Sequence, residues 1–331
     1  MNRNHIFNFA LLTLIALIPL FSDLAGDRFY TGFFTRILIL AISAISLNLL
    51  IGFGGMISFG HAAFIGVGGY VVGITTVHAF EDGMNWMQNG YFQVLTAITL
   101  SALFSLLIGL IALRTRGIHF IMITLAFSQL LYFTAVGVER YGADDGLSLY
   151  DRSDFGDLID LSNEQTLYYI SFASVLFVLL GMNALNHSRF GNVLQGIRLN
   201  EDRMKSVGFS VFRFKLVAFV IAGSISGYAG FLLANLTDFI SPDMMHWTRS
   251  GDLIIMVVLG GIGSLFGPLY GALFFLLLEE VLSSINIQVG TIRIGEYWQL
   301  ILGPLLLCVV LFARNGLSGL MKKPMKKTRD R

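Results

Sequence analysis

The chain has 331 residues, 55% of them hydrophobic and 13% charged, with a mean hydropathy of +0.73. Soluble domains carry about a quarter charged residues, and several apolar runs here reach bilayer-spanning length. The composition therefore points to a polytopic membrane protein and excludes a disordered chain, a nucleic-acid binder and a disulfide-built secreted scaffold; the lone Cys308 reads as a small packing residue.

In chain order, the first apolar run is 6–21, behind Arg3. A cleaved leader fits poorly because Asp23 stands where an A-x-A site wants a small residue, so the run is read as a first helix. Further spans are predicted at 33–51, 61–79, 92–113, 118–138, 166–185, 216–236, 253–282 and 297–312. Each approximates the ~20 residues that cross the hydrocarbon core, except 253–282, which is too long and is interrupted at Gly260, Gly261, Gly263 and Gly267.

Lysine and arginine set the orientation. Most of the 22 basic residues fall on one side if the N-terminus is cytoplasmic: Arg3, Arg114, Arg116, the group Arg189, Arg198, Arg203, Lys205, Arg213 and Lys215, and the basic tail 314–331. Only Glu201, Asp202 and Asp330 of the 21 acids share that side, whereas the acidic loop 139–165 falls opposite. Both termini are expected to be cytoplasmic, and parity then requires that 253–282 be split in two. The expected fold is an all-α polytopic membrane protein of about ten membrane helices, two interrupted by Gly-rich breaks, forming one transmembrane domain over 1–331.

The two breaks look alike. Residues 52–60 and 260–267 each contain Gly-Gly, then a serine, then Phe-Gly. Paired interruptions in the two halves of a transporter point to a translocation site, while small residues also serve close helix packing. Gly54, Gly55, Ser58, Gly260, Gly261 and Ser264 are thus candidates for the path, as are the polar span residues Asn48, Thr124 and Gln129. The latter fit lining and interhelical hydrogen bonding equally.

Recognisable chemistry is lacking. The chain has no Gly-Lys dipeptide and hence no phosphate loop, no Gly-x-Ser-x-Gly elbow and no His-Glu-x-x-His. Its six histidines are too scattered for a compact metal site. His61 fits a buried packing role better than a proton relay, having no partner acid in the sequence around it. No enzyme activity is expected, and transport would draw its energy from elsewhere.

The cytoplasmic segment 186–215 is where that energy could enter. Asn200 reads as an N-cap, Glu201 and Asp202 favour a helix start, Lys205 its end, and Gly208 reads as a C-cap. Met204 and Val207 would share a face beside Phe209, an apolar knob for a partner's groove; a solvated basic connector fits as well.

Gly196-Ile197-Arg198-Leu199-Asn200-Glu201-Asp202-Arg203, followed by Gly208 and Arg213-Phe214-Lys215, resembles the coupling segment of branched-chain amino acid ABC transporter permeases. The likeness continues in Gly55-Met56-Ile57-Ser58-Phe59-Gly60-His61, in Arg116-Gly117-Ile118-His119, in Asp144-Asp145-Gly146-Leu147 and in Val258-Leu259-Gly260-Gly261. The longer, LivM-like permease type is the better fit. The resemblance implies a multi-pass protein of the bacterial cytoplasmic (inner) membrane in an importer with a second homologous permease, two cytoplasmic ATPase subunits and an extracytoplasmic substrate-binding protein. It implies no cofactor on this chain, ATP and Mg being used by the partner ATPases. It assigns coupling to Glu201, Asp202, Arg203, Met204 and Gly208, with Asp202-Arg203-Met204 standing where many ABC import permeases have Glu-Ala-Ala before the glycine. The alternatives are a urea or short-amide importer permease, a cation-coupled secondary carrier, and a passive channel; scarce buried charge disfavours the carrier and the coupling-like segment the channel.

Overall fold

The computed structural model describes residues 3–156 and 159–284, with short pieces at 288–289, 292–293, 300, 302–304, 307 and 316–320. The chain folds as helices α1 (Arg3–Ala16), α2 (Ile18–Ala25), α3 (Phe29–Asn48), α4 (His61–Glu81), α5 (Gly90–Ala112), α6 (Ile118–Val136) and α7 (Glu164–His187). It continues through α8 (Arg189–Leu199), α9 (Glu201–Ser206), α10 (Val211–Thr237), α11 (Trp247–Gly260), α12 (Gly267–Ser283) and α13 (Gly316–Leu320). Two-residue strands pair antiparallel, β1 (Leu147–Ser148) with β2 (Phe239–Ile240) and β3 (Gln288–Val289) with β4 (Ile292–Arg293).

Among the described residues, α3 with its continuation to Phe53, α4, α5, α6, α7 and α10 are long and apolar enough to cross a membrane; α1 and α2, bent by 42°, count as a seventh if taken together. This is a multi-pass membrane protein. The apolar runs predicted between 33 and 236 fall on those six helices. The run 253–282 lies on α11 and α12, each shorter than a span. The predicted span 297–312, with Cys308, and most of the basic tail lie outside the described residues.

The bend in the first run has a local cause. Pro19 has no N–H to donate to the Ile15 carbonyl, so the helix breaks at Leu17. The freed carbonyl is taken by the buried Tyr168 hydroxyl of α7, which meets its need for a partner inside the bundle.

Helices α3 and α4 form the centre, 83% of each span buried, against 17% for α6 at the edge. In a bilayer, apolar burial does not drive helix association, so close packing and interhelical hydrogen bonds must. The α4–α10 contact shows how: a Cβ at Gly68 would strike the Gly227 carbonyl, and one at Gly230 would strike the Ile65 carbonyl. Ser43 on α3 and Ser226 on α10 bond across the same layer at 2.7 Å.

The acidic connection after α6 folds over one end of the bundle. Arg152 makes two 3.0 Å bonds to the Asp238 carboxylate and donates to Leu161 O at 2.8 Å. The Ser153 N–H donates to Asn235 Oδ1 at 2.8 Å. Asp82, bonded by His78 and faced by Arg140, is held below the ordinary carboxylate value. Asp144 and Asp145 remain exposed.

Replacing Gly68 by leucine is expected to force α4 from α10 and to cost ~3 kcal/mol or more of stability. Gly181→Ala, where nothing lies within 4 Å, should be neutral or stabilising by up to about 1 kcal/mol. Melting temperatures in detergent measure both, and equal values would mean that α4 and α10 do not touch backbone to backbone.

Candidate translocation and coupling site

Asn48 ends α3, and its side chain ties the two breaks together. Its Nδ2 donates to Ser264 O at 2.9 Å and its Oδ1 accepts the Gly263 N–H at 2.9 Å. The chain around it has left the α-helical ladder: Leu49–Phe53 forms a π-turn, and 261–266 is non-helical. Such stretches leave backbone donors and acceptors to be met by side chains. Gly263 sits at φ +78, where an L side chain is strained, and a Cβ there would lie 3.2 Å from the Gly52 carbonyl.

A third element joins this node. Arg198, in the last turn of α8, donates from Nη1 to the Gly52 carbonyl. Its stem lies along Gly55, where a Cβ would be 3.0 Å from Arg198 Cγ. The sequence reading counted Arg198 only as a basic residue. A cation in the last turn of a helix is a local signal, but nothing local identifies a carbonyl 146 residues away.

The remaining candidates divide. Buried Ser58 accepts the Gly60 N–H at 3.3 Å, and Thr124 Oγ1 accepts the Phe59 N–H at 3.2 Å while donating to Ile121 O at 2.9 Å. The Ala62 N–H reaches Ser250 Oγ on α11 at 3.0 Å, and the buried His61 Nε2 lies 2.8 Å from Ser46 Oγ. These bonds pair the Phe59 and Gly60 amides just before α4 and the Ala62 amide in its first turn. Gly54 packs on Met56 and the Leu50 carbonyl; Gly260, with Gly261 beside it, lies against the Gly267 carbonyl. Among the described residues, the Gln129 Nε2 and the Ser264 hydroxyl have no hydrogen-bond partner, and Gln129 joins neither cluster.

On the coupling side, Asn200 caps α9 by accepting the Arg203 N–H at 2.9 Å. The end of α9 is a paired turn: the Gly208 N–H donates to Lys205 O at 2.9 Å and the Phe209 N–H to Met204 O at 3.1 Å. That arrangement needs a left-handed residue, and Gly208 stands at φ +98. Glu201 gathers Lys215 at 2.7 Å, Lys205 at 2.9 Å and Arg116 at 3.0 Å; Arg116 also lies 3.5 Å from Asp202. Burial pushes the Glu201 carboxyl up, but bonds from Lys215 and Lys205 and the charges of Lys215 and Arg116 outweigh it and hold the group below its ordinary value. A cleft of about 190 Å³ lined by Gly55, Ile57, Arg116, Glu201 and Lys215 joins this cluster to the first break.

The apolar knob differs from the one expected. Met204 turns inward, its sulfur 2.9 Å from where a Cβ on Gly196 would stand. The outward apolar residues are Leu199, 86% exposed, and Val207, 67% exposed, beside Phe209. A six-residue helix fixes too little of the periodicity to tell which side faces α8.

A family model described as the permease component of branched-chain amino acid transport systems matches residues 29–310. The chain belongs to that family. The LivM permease of the high-affinity branched-chain amino acid transport system of Salmonella typhimurium is 26% identical over 88% of this chain and 70% of its own length. A probable LivM permease of Methanocaldococcus jannaschii is 24% identical over 86% of this chain and 93% of its own. The probable LivH permease of the same organism is 21% identical over 77% and 89%. This LivM-like permease thus shares its family with both permease types.

Two outcomes are expected. Asn48→Ala leaves the Gly263 N–H and the Ser264 carbonyl unpaired and should cost about 1–3 kcal/mol, read as a lower melting temperature; an unchanged value would remove Asn48 from the tie. Because the Glu201 pKa is lowered on folding, its charge cluster contributes fully above the ordinary carboxylate value and is lost as pH falls through the lowered one. A nitroxide on Ser206→Cys in a Cys308→Ser background should stay immobile at neutral pH and loosen only in the acid range. Glu201→Gln should loosen it at neutral pH as well.

Proposed function

We propose that this permease is one of the two membrane subunits of an ATP-driven importer for branched-chain amino acids in a bacterial cytoplasmic membrane. Its partners are a second, homologous permease, two cytoplasmic ATPase subunits and an extracytoplasmic binding protein; the kinship with a LivH permease supports the pairing. ATP and Mg are used by the ATPases, and the permease binds no cofactor and performs no chemical step. Its topology is ten membrane segments with both termini cytoplasmic: the bent α1–α2 pair, the six long helices, α11, α12 and a last segment near 297–312.

The observation that carries this reading is the bond from Arg198 to Gly52. It joins the exposed, charged α8–α9 unit to the node where both breaks meet, so a partner that moves α8 and α9 moves the breaks. Leu199, Val207 and Phe209 form the knob that an ATPase groove receives, and Glu201, Asp202, Arg203, Met204 and Gly208 keep it in shape. Closure of the ATPase dimer on ATP favours one arrangement of the breaks and nucleotide release the other, so the path opens to each side in turn. The acidic face holding Asp144 and Asp145 is the docking surface for the binding protein.

Leucine uptake into proteoliposomes holding this chain with its co-purified partners, binding protein outside and ATP inside, tests the reading. Accumulation that needs hydrolysable ATP and survives an ionophore is expected; ionophore-sensitive uptake by this chain alone would overturn it. Gly208→Val forces a β-branched residue into the left-handed region, a strain of about 1–2 kcal/mol, and is expected to abolish ATP-driven uptake while the assembled complex still co-purifies. Normal uptake by that variant would remove Gly208 from coupling.

A further inference from the structure

A cavity of about 280 Å³ lies where α3, α11 and α12 converge, beneath the non-helical connection that follows α10. It carries both signs of charge. Arg36 on α3 stands 4.0 Å from Glu279 on α12, and Arg249 stands 3.7 Å from Asp252 on α11. Both separations exceed the ~2.7–2.9 Å of a charge-assisted hydrogen bond, so each pair is apposed without being closed. The lining is otherwise largely apolar: Leu253 and Met256 on α11 and Phe275 and Leu276 on α12 are each 2% exposed or less.

Ionisable side chains within membrane helices are costly and face a cavity, a partner or both. Here Arg36, Arg249, Asp252 and Glu279 converge on one small space, lined also by Ser241 and by a third carboxylate, the exposed Asp243 of the connection after α10. Irregular backbone at membrane depth is tolerated where it borders such a cavity. Neither the break node nor the coupling segment uses these four residues.

The geometry points to a binding site for one zwitterionic, aliphatic α-amino acid inside this permease. The substrate carboxylate is taken by Arg36 and Arg249, its ammonium by Asp252 and Glu279, and its side chain by the Leu253, Met256, Phe275 and Leu276 wall. The volume sits just under the ~300–1,000 Å³ of small-molecule sites, which suits one amino acid and not a peptide. An uncharged amide or urea would leave the Arg36–Glu279 and Arg249–Asp252 groups without a ligand charge. The inference rests on the importer reading and names its substrate class at the level of this chain.

The test is equilibrium binding of radiolabelled leucine to the assembled importer in nanodiscs, with binding protein and nucleotide omitted. Saturable binding is expected, with leucinamide, which lacks the carboxylate, and 4-methylpentanoate, which lacks the ammonium, each competing roughly tenfold or more weakly. Urea should not compete. Arg36→Gln and Asp252→Asn should each weaken leucine binding by a similar factor, co-purification of the partners reporting that each variant assembles. The ligand series on the unaltered protein decides the matter should a variant fail to assemble. Equal competition by 4-methylpentanoate, or no leucine binding to a complex that pumps leucine with ATP, would overturn the site and leave the importer reading standing. A complex that pumps no leucine at all would overturn both.

Discussion

A backbone that leaves the helical ladder inside a membrane has no water to turn to, and each unpaired N–H or C=O there costs several kcal/mol. That constraint organises this permease. The stretches 52–60 and 261–266 are non-α-helical over most of their length, and they are held by side chains from elsewhere: Asn48 bonds Gly263 and Ser264, Arg198 bonds Gly52, and Thr124 bonds Phe59. None of these side chains belongs to the stretch it serves. The breaks are therefore stable only while α3, α6, α8 and the α11–α12 pair keep their places, and any displacement of those elements exchanges one set of bonds for another.

This dependence is what suits the region to a machine driven from one side. Arg198 is the penultimate residue of α8, which is followed, after a single capping residue, by α9. The Glu201 charge cluster holds α9 to the 115–117 connection and to the start of α10. A surface ion pair alone contributes little, but here three cations converge on one carboxylate that is only 21% exposed. The unit so formed is tied to the first break through the Arg198 guanidinium, whose planar fork is better pre-organised for such a bond than a lysine would be.

How far the sequence speaks depends on the range of the interaction. The long helices are legible because each is an apolar run of the length that a bilayer demands, and the caps at Asn200 and Gly208 because capping is local chemistry. The bend at Leu17 was legible in principle from Pro19, yet an apolar run of ordinary length concealed it. The direction of Met204 was not, since Gly196 receives it from a different helix. Asn48 and Thr124 stood out as polar residues in apolar spans, but whether they line or brace is decided by partners 65 or more residues away. Arg36, Asp252 and Glu279 could not be grouped from the sequence, because no linear pattern brings three helices to one cavity.

The break node and the charged cavity share the same three elements at different heights. Asn48 and Arg36 both belong to α3, separated along its axis by about 18 Å at 1.5 Å per residue; Ser264 and Gly263 begin the loop that α11 and α12 flank, and Asp252 and Glu279 lie farther up those two helices. A small rotation of the α11–α12 pair about the Asn48 bonds is therefore magnified along the helices into a larger displacement at the cavity. It would alter the Arg36–Glu279 separation, which spans α3 and α12, and leave the Arg249–Asp252 separation, which lies within α11, unchanged. One charge pair is thus sensitive to the breaks and the other is not, so a motion begun at α8 can change how well the two ends of a zwitterion are held without destroying the cavity that holds it.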